Sequence, residues 1–521
     1  MNIGMLLPRH ARYRGDHLAL VCGGHELSFR ELDARVNRLA NALLRAGLRK
    51  GEKFATVLPN CLELMLAYWA AAKTGVVIVP ASPLLQARGL ATLLRDSDSS
   101  LVLGHVSGAE TLAQIRGELP DIERWVLVGG GRPGFRAYDA FVAGASEHAP
   151  PDAALQDDDV YNIMYSSGTT GRPKGIVHTH YIRAMYCTLF AQAWRMTPED
   201  VVLHSGSIVF NGSMIILMPW MFVGCSYILH ETFQPERVIE EIHRRKVTHM
   251  VCVPMQIIGI LGSPAFDPEK LSSLRMLHNV GAPLALTYKQ QINDLLPGRY
   301  HELYGVTEGF VTILDREDAV RKVGSVGCPP PFFEIRVLRE DGSECAPGEV
   351  GEIAGRGPTI MSGYYKRPEV TERVFHDGWL RGGDAGYLDE DGYLFLVDRI
   401  KDMIISGGVN VYPRDIEEVI AGHPEVREVA VFGVADERWG EAPVAAVVRR
   451  PGATVSGEEL IRWTNERVAA RYQRIRDVVL YDEFPRNVAG KTLKREMRER
   501  YRPTGASLAE TIRRPRRSQS G

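Results

Sequence analysis

Ser28-Phe29-Arg30-Glu31-Leu32 carries the pattern of a capping box, and apolar residues recur at helical spacing from there to Leu44. The chain then turns to Phe54-Ala55-Thr56-Val57-Leu58, a continuous apolar run with the length of a strand buried on both faces. Runs of the same kind return at Val76 to Pro80, Leu101 to Leu103 and Trp125 to Val128, with helical patterns between them. Such alternation predicts an α/β fold, a mostly parallel sheet with helices on both faces.

After about Gly324 the texture changes. Short strands such as Glu334 to Leu338 and Tyr393 to Val397 are punctuated by Asp341-Gly342, Pro347-Gly348, Asp377-Gly378 and Asp391-Gly392. These are hairpin signals, and they predict a small β-barrel subdomain over about 324–398. Beyond it the pattern mixes a helix near Arg414 to Ala421, strands at Glu428 to Val434 and Val444 to Arg449, and a helix at Gly457 to Ala470. We expect a large N-terminal body over 1–400, a small mobile α+β domain over 401–502 and a solvated basic tail over 503–521.

Composition narrows the function classes. The chain has 521 residues, 45% of them apolar, with 62 Lys and Arg against 64 Asp and Glu. A net charge of -2 removes the field that would draw it onto nucleic acid. The seven cysteines include no C-x-x-C pair, which reads as reduced thiols in a cytoplasmic protein. Ser205 to Leu229 lacks charge, yet it holds Asn211, Gly212 and Pro219 and has no flanking Lys or Arg anchors. We read it as a buried strand and helix rather than a membrane span. The subunits are expected as a monomer or a homodimer.

Two nucleotide patterns fail in context. Gly129-x-Gly131-x-x-Gly134 has Pro133 inside it, and Gly490-Lys491-Thr492 has Pro485 where a phosphate-binding P-loop needs glycine. Tyr165-Ser166-Ser167-Gly168-Thr169-Thr170-Gly171-Arg172-Pro173-Lys174-Gly175 is different. Its small residues let backbone N–H groups approach an oxyanion, its hydroxyls add donors, and Lys174 supplies a cation for a polyphosphate.

With this loop the chain resembles the adenylate-forming, AMP-binding superfamily, in its acyl-CoA synthetase branch. Further motifs follow in that family's order. Gly281-Ala282-Pro283 and Tyr304-Gly305-Val306-Thr307-Glu308 resemble its adenine and magnesium elements. The resemblance implies that Tyr304 stacks on adenine, Thr307 donates to the α-phosphate and Glu308 helps to hold Mg2+. It likewise implies ATP contacts from Ser166, Ser167, Gly168, Thr169, Thr170 and Gly171, a ribose contact from Asp384 and a nucleotide contact from Arg399. Lys401 would be the hinge, Gly407 and Gly408 would line the coenzyme A tunnel, and Lys491 would be the catalytic lysine. A positioned ammonium suits that last task, because carboxylate and phosphate are both anions.

Many members carry Phe-His where this chain reads Val209-Phe210-Asn211-Gly212. Asn211 donates and accepts but cannot become a cation. Asn211, Met214, Val253, Met255 and Val306 are the expected acyl pocket, with no evident fixed cation for a second carboxylate and no acid placed for an α-amine. The reading is an ATP-dependent acid–thiol ligase for an apolar monocarboxylic acid, medium- or long-chain or aromatic, using ATP, Mg2+ and coenzyme A. Transfer of the acyl group to a carrier protein, and a catalytically silent nucleotide binder, stay open as alternatives.

Overall fold

The computed structural model describes residues 1–166, 173–399, 402–406, 409–436, 439–468, 470–487 and 490–502. The chain divides into two compact units. The first comprises Met1–Leu284, Ile292–Ile335 and Gly355–Leu380; the second comprises Ala285–Gln291, Arg336–Ala354 and Arg381–Gly521.

In the first unit the capping box forms as read. The Ser28 hydroxyl accepts from the Glu31 N–H, while the Ser28 N–H donates to the Glu31 carboxylate at 2.8 Å. The helix Phe29–Arg45 then buries Leu32, Val36, Leu39, Ala40 and Leu43, one stripe at helical spacing. The four apolar runs become the strands Lys53–Val57, Val77–Ala81, Ser99–His105 and Arg124–Val128, which are neighbours in one eight-stranded sheet. Pairing is parallel from Val160–Ser166 across to Arg136–Ala137. On the other side, Lys174–Thr179 lies antiparallel to Val160–Ser166, and the two-residue strand Gly363–Tyr364 closes that edge. Polar contacts tie the segment after it to a neighbouring turn. The Tyr365 hydroxyl donates to Asp98 at 2.8 Å, and Arg367 pairs with Asp96 at 2.6 Å.

A second eight-stranded sheet runs Val311–Leu314, Tyr300–Gly305, Met276–Val280, His249–Cys252, Val201–His204, Ser226–Leu229, Leu18–Cys22, His25–Ser28. Its two outermost pairs are antiparallel and all the others parallel. The helices Leu62–Thr74 and Met214–Val223 bury residues all round their circumference, and therefore belong inside; the buried Lys73 of the first pairs with Asp33. Trp69 and Trp220 meet edge to face at 6.1 Å in a core that takes residues from both sheets. This accounts for the charge-free stretch: a ten-residue buried helix with Pro219 inside it, ended by Gly224 at φ +76°, followed by a buried strand. No helix among the described residues is long and apolar enough to cross a membrane. The Gly129 to Gly134 stretch leads into the short strand Arg136–Ala137 rather than a nucleotide-binding helix.

The second unit holds most of the strands Glu334–Leu338, Gly351–Arg356, Trp379–Leu388 and Leu394–Arg399. Trp379–Leu388 begins in the first unit and ends in the second, where it pairs antiparallel with Leu394–Arg399. The C-terminal sheet orders Val409–Val411, Ile404–Ser406, Gly440–Arg449 and Val426–Asp436, with Asp477–Tyr481 parallel to Gly440–Arg449. Successive side chains alternate across it. Val431, Ala445 and Val447 pack with Ile416, Ile420 and Leu460 of the helices Pro413–Ala421 and Gly457–Arg467, while Phe432, Val444 and Ala446 pack with Phe484 and Met497.

Among the buried histidines of the first unit, His178, His180, His204, His278 and His301 are at most 4% exposed. Burial holds all five neutral, with His180, His204 and His301 pushed down to about 4 and the other two well below the usual value. The unfolded chain protonates each at about 6.5. Below that pH the unfolded state binds more protons than the native one, so stability is lost as pH falls from about 6.5 towards 4. Each such group costs about 1.4 kcal/mol per pH unit in that window. Urea titrations between pH 7 and 4.5 should show a slope of several protons; a slope near zero would mean that these side chains are protonated in the fold.

Candidate active site

Open parallel sheets bind ligands beyond the carboxyl ends of their strands. In the first unit that edge carries four of the segments singled out in the sequence. His249–Cys252 runs into Val253, Met276–Val280 into Gly281, and Tyr300–Gly305 into Val306, while Val201–His204 leads towards Asn211. Gly281 has φ +89°, and a Cβ placed there would stand 3.8 Å from Val253 Cγ1. A Cβ on Gly212 would stand 3.9 Å from Val280 Cγ1. The fold thus gathers Asn211, Val253, Gly281 and Val306 from stretches far apart in sequence. Asn279 braces the Gly281-Ala282-Pro283 turn by donating to the Ala282 carbonyl and to the Glu302 carboxylate, both at 3.1 Å. Val253 is 36% exposed and Met255 half-buried, whereas Met214 is wholly buried in the core.

The strand Tyr300–Gly305 ends in a tight reversal. Val306 N–H donates to the Phe310 carbonyl at 3.3 Å and Gly309 N–H to the Val306 carbonyl at 3.0 Å. The Tyr304 ring lies 6.1 Å from Phe310. A Cβ on Gly305 would stand 2.7 Å from the Phe310 carbonyl oxygen, so the position requires glycine. Gly309 is tighter still, with φ +126° and the Thr359 carbonyl 2.1 Å from where its Cβ would be. This reversal half-buries Thr307 and Glu308. The Thr307 carbonyl accepts from His178 Nε2 at 3.0 Å, which fixes the proton of that ring on Nε2.

Tyr364, on the edge strand, connects two of the expected catalytic groups. Its hydroxyl donates to Glu308 Oε1 at 2.7 Å, and its ring lies under the Lys174 ammonium, 5.0 Å from the centroid. Burial and the Glu308 carboxylate both push the Tyr364 phenol far above its ordinary value, so it stays a neutral donor. The Met361 N–H adds a bond at 2.8 Å to the Glu308 carbonyl. One carboxylate, one ammonium and one phenol thereby share a corner at the Lys174 end of its strand.

Behind Asn211 the structure places a cation that the sequence analysis did not single out. Arg183, on the helix His180–Ala193, is 0% exposed. Its Nε donates to Asn162 Oδ1 and one Nη to Asn211 Oδ1, both at 2.9 Å, and its guanidinium lies 4.7 Å from the centre of the Tyr186 ring. Asn211 in turn donates to the Tyr186 hydroxyl at 3.2 Å.

Other expected residues belong to the second unit. Asp384 is 8% exposed and sits opposite Arg399 in the antiparallel register. Lys491 lies in a turn closed on Asn487, whose N–H donates to the Lys491 carbonyl and whose side chain accepts from the Lys491 N–H, both at 2.9 Å. Ser167, Gly168, Thr169, Thr170, Gly171, Lys401, Gly407 and Gly408 lie outside the described residues, and Ser166 is the last residue of its strand. A cleft of about 580 Å3 in the first unit lies elsewhere. Lys246, Arg275 and Arg299 line it at the starts of the same strands, the end remote from Gly281 and Val306.

Comparison with known proteins accounts for this arrangement. The model of the AMP-binding enzyme family matches residues 7–365, and that of the AMP-binding enzyme C-terminal domain matches 415–491. The chain belongs to the AMP-binding enzymes. A feruloyl-CoA synthase from Amycolatopsis is 36% identical to this AMP-binding enzyme, over 96% of the chain and 99% of the relative. The long-chain-fatty-acid–CoA ligase FadD13 of Mycobacterium tuberculosis is 33% identical over the same shares. Among solved structures, ATP-bound MatB from Rhodopseudomonas palustris superposes with a TM-score of 0.87 at 31% identity, covering 96% of this chain and 99% of that one. The fold is that of the adenylate-forming enzymes, and the chain is an AMP-forming acid–thiol ligase of their acyl-CoA and aryl-CoA ligase branch.

Replacing Gly309 by alanine tests the reversal that carries Thr307 and Glu308. The strained φ alone costs about 1–3 kcal/mol, before the clash with Thr359. Gly309→Ala should therefore lower the urea midpoint and lose ATP-dependent pyrophosphate release beyond what its lost stability explains; unchanged values of both would show that the turn is not tight.

Proposed function

We propose that this enzyme activates an apolar monocarboxylic acid, aromatic or medium- to long-chain, as its acyl-adenylate and transfers the acyl group to coenzyme A. The observation that carries the reading is the corner formed by Lys174, Tyr364 and Glu308 beside Thr307. It concentrates an ammonium, a carboxylate and a hydroxyl at the start of the strand that follows the hydroxyl-rich stretch Ser166 to Gly171. A single carboxylate together with phosphate oxygens is a donor set that suits Mg2+. Glu308 would hold that ion, which when bound offsets the charge of the triphosphate.

The residues then divide the first step between them. The loop Ser166 to Gly171 and Lys174 hold the phosphates, Thr307 donates to the α-phosphate, and Tyr304 with Gly281-Ala282-Pro283 receives the adenine. Asp384 accepts from the ribose hydroxyls and Arg399 contacts the nucleotide. The acid's carboxylate attacks the α-phosphorus, pyrophosphate leaves, and the Lys491 ammonium offsets the charge that two anions bring together. Val253, Met255 and Val306 offer the acyl chain an apolar wall, with Met214 packed behind it. Transfer follows when a C-terminal domain over 401–502 turns about Lys401, withdraws Lys491 and presents Gly407 and Gly408 to the pantetheine arm. The thiol sulfur then attacks the acyl carbonyl and AMP leaves. The feruloyl and long-chain specificities in the relatives' names support an apolar acid.

Pyrophosphate release over a panel of cinnamic, fatty, dicarboxylic and amino acids, each with and without coenzyme A, tests this directly. Apolar acids should give release that becomes multi-turnover only with coenzyme A, one thioester forming for each ATP consumed. Lys491→Ala should lower the first step by about 100- to 1000-fold while ATP still binds. Silence toward every acid from protein that binds ATP would sink the reading, and turnover only with an added carrier protein would move the acceptor away from coenzyme A.

A further inference from the structure

A fully buried guanidinium needs a reason. Taking an ion out of water is costly unless an opposite charge or a full set of acceptors compensates it. Arg183 has neither. Its polar neighbours are two amides, Asn162 and Asn211, and the neutral phenols of Tyr186, Tyr161 and Tyr68, of which Tyr186 also engages it by hydrogen bonding. Its second terminal nitrogen, Nη1, has no hydrogen-bond partner among the described residues. Burial works against its charge, yet a guanidinium stays protonated in proteins, so the fold keeps an uncompensated cation here.

Its position gives that charge a use. An arginine only donates, so the atom of Asn211 that meets it must be Oδ1, and Nδ2 must be the atom that meets Tyr186. One amide proton of Asn211 is spent on the Tyr186 hydroxyl. The other remains on a half-buried residue whose neighbour Gly212 borders Val280, at the mouth formed with Gly281 and Val253. On its other side Arg183 fixes Asn162 in the same way. Asn162 is the register partner of His178, the ring that donates to the Thr307 carbonyl. The cation therefore lies between the turn that carries Thr307 and the asparagine at the acid pocket.

We propose that Arg183 is a positioning residue for the acid: it locks and polarises Asn211 so that the free amide proton meets the substrate carboxylate, and its buried charge is compensated only when that carboxylate arrives. The proposal rests on the function argued above and deepens it. It gives Asn211, which cannot itself become a cation, a fixed positive charge directly behind it. It also assigns the cation to the reacting carboxylate, which every substrate shares, rather than to a group on the acyl tail.

Three variants of the full chain test this: Arg183→Met, Arg183→Lys and Asn211→Asp. Methionine fills similar space without the charge, and aspartate at 211 gives Arg183 a permanent partner in place of the substrate. Steady-state pyrophosphate release is measured at saturating ATP and coenzyme A, with cinnamate, ferulate and a medium-chain fatty acid. Arg183→Met and Asn211→Asp should each lower kcat/KM about 10- to 100-fold, by a similar factor for every acid, with the KM for ATP within about twofold of wild type. That range corresponds to loss of one charge-assisted hydrogen bond. Arg183→Lys should recover part of the loss. The melting temperature of Asn211→Asp should equal or exceed that of wild type, which separates lost function from lost fold even where Arg183→Met fails to fold.

Wild-type kcat/KM in Asn211→Asp, a loss shared equally by ATP, or a loss confined to acids of one tail type would each overturn the proposal and leave the ligase reading intact. A wild-type chain silent toward all acids would remove both.

Discussion

The burial of Trp69 against Trp220 marks the constraint on which the first unit depends. Parallel sheets must be covered on both faces, because their strands present apolar side chains on each. Here two such sheets draw on one core, and the elements that fill it, Leu62–Thr74 and Met214–Val223, are the ones with no polar face to spare. The carboxyl ends of the strands are left uncovered by that packing. The candidate site segments are found there, on turns such as Val280-Gly281 and Val306-Thr307, held by hydrogen bonds that begin inside the core. Asn279 and His178 are the clearest cases, each fully or almost fully buried and each holding the backbone of a site segment.

Much of this was legible from the chain alone. The capping box at Ser28, the four apolar runs and the hairpin glycines name their own structures, because each is a local rule that tertiary context reinforces. The corresponding strands differ from the runs by a residue or two at the ends, as at Lys53–Val57 and Ser99–His105. Lys174, Thr307 and Glu308 were nameable because a family pattern keeps them in order.

What escaped was supplied from a distance. Tyr364 meets Glu308 across 56 positions of chain, and nothing in the stretch Ser362-Gly363-Tyr364-Tyr365 marks it as more than a turn. Arg183 was hidden for a different reason. On a helix an arginine reads as a solvated residue, since it is almost never fully buried. Only the packing of His180–Ala193 against Met214–Val223 shows that this one faces inward. A polar residue in the middle of an apolar helical face was the available signal, and it needed the orientation of the helix to be recognised.

The short strand Gly363–Tyr364 serves two purposes at once. Exposed sheet edges invite pairing with other chains, and a two-residue strand pinned through Asp96 and Asp98 is a means of blunting one. The same residue pair delivers the phenol that steadies Glu308. Blunting of the sheet edge and the hold of the Tyr364 phenol on Glu308 are thus vested in a single piece of backbone, so neither can be relaxed without the other. A molecule with that edge peeled away would lose the Tyr364 bond to Glu308 together with its guard against pairing.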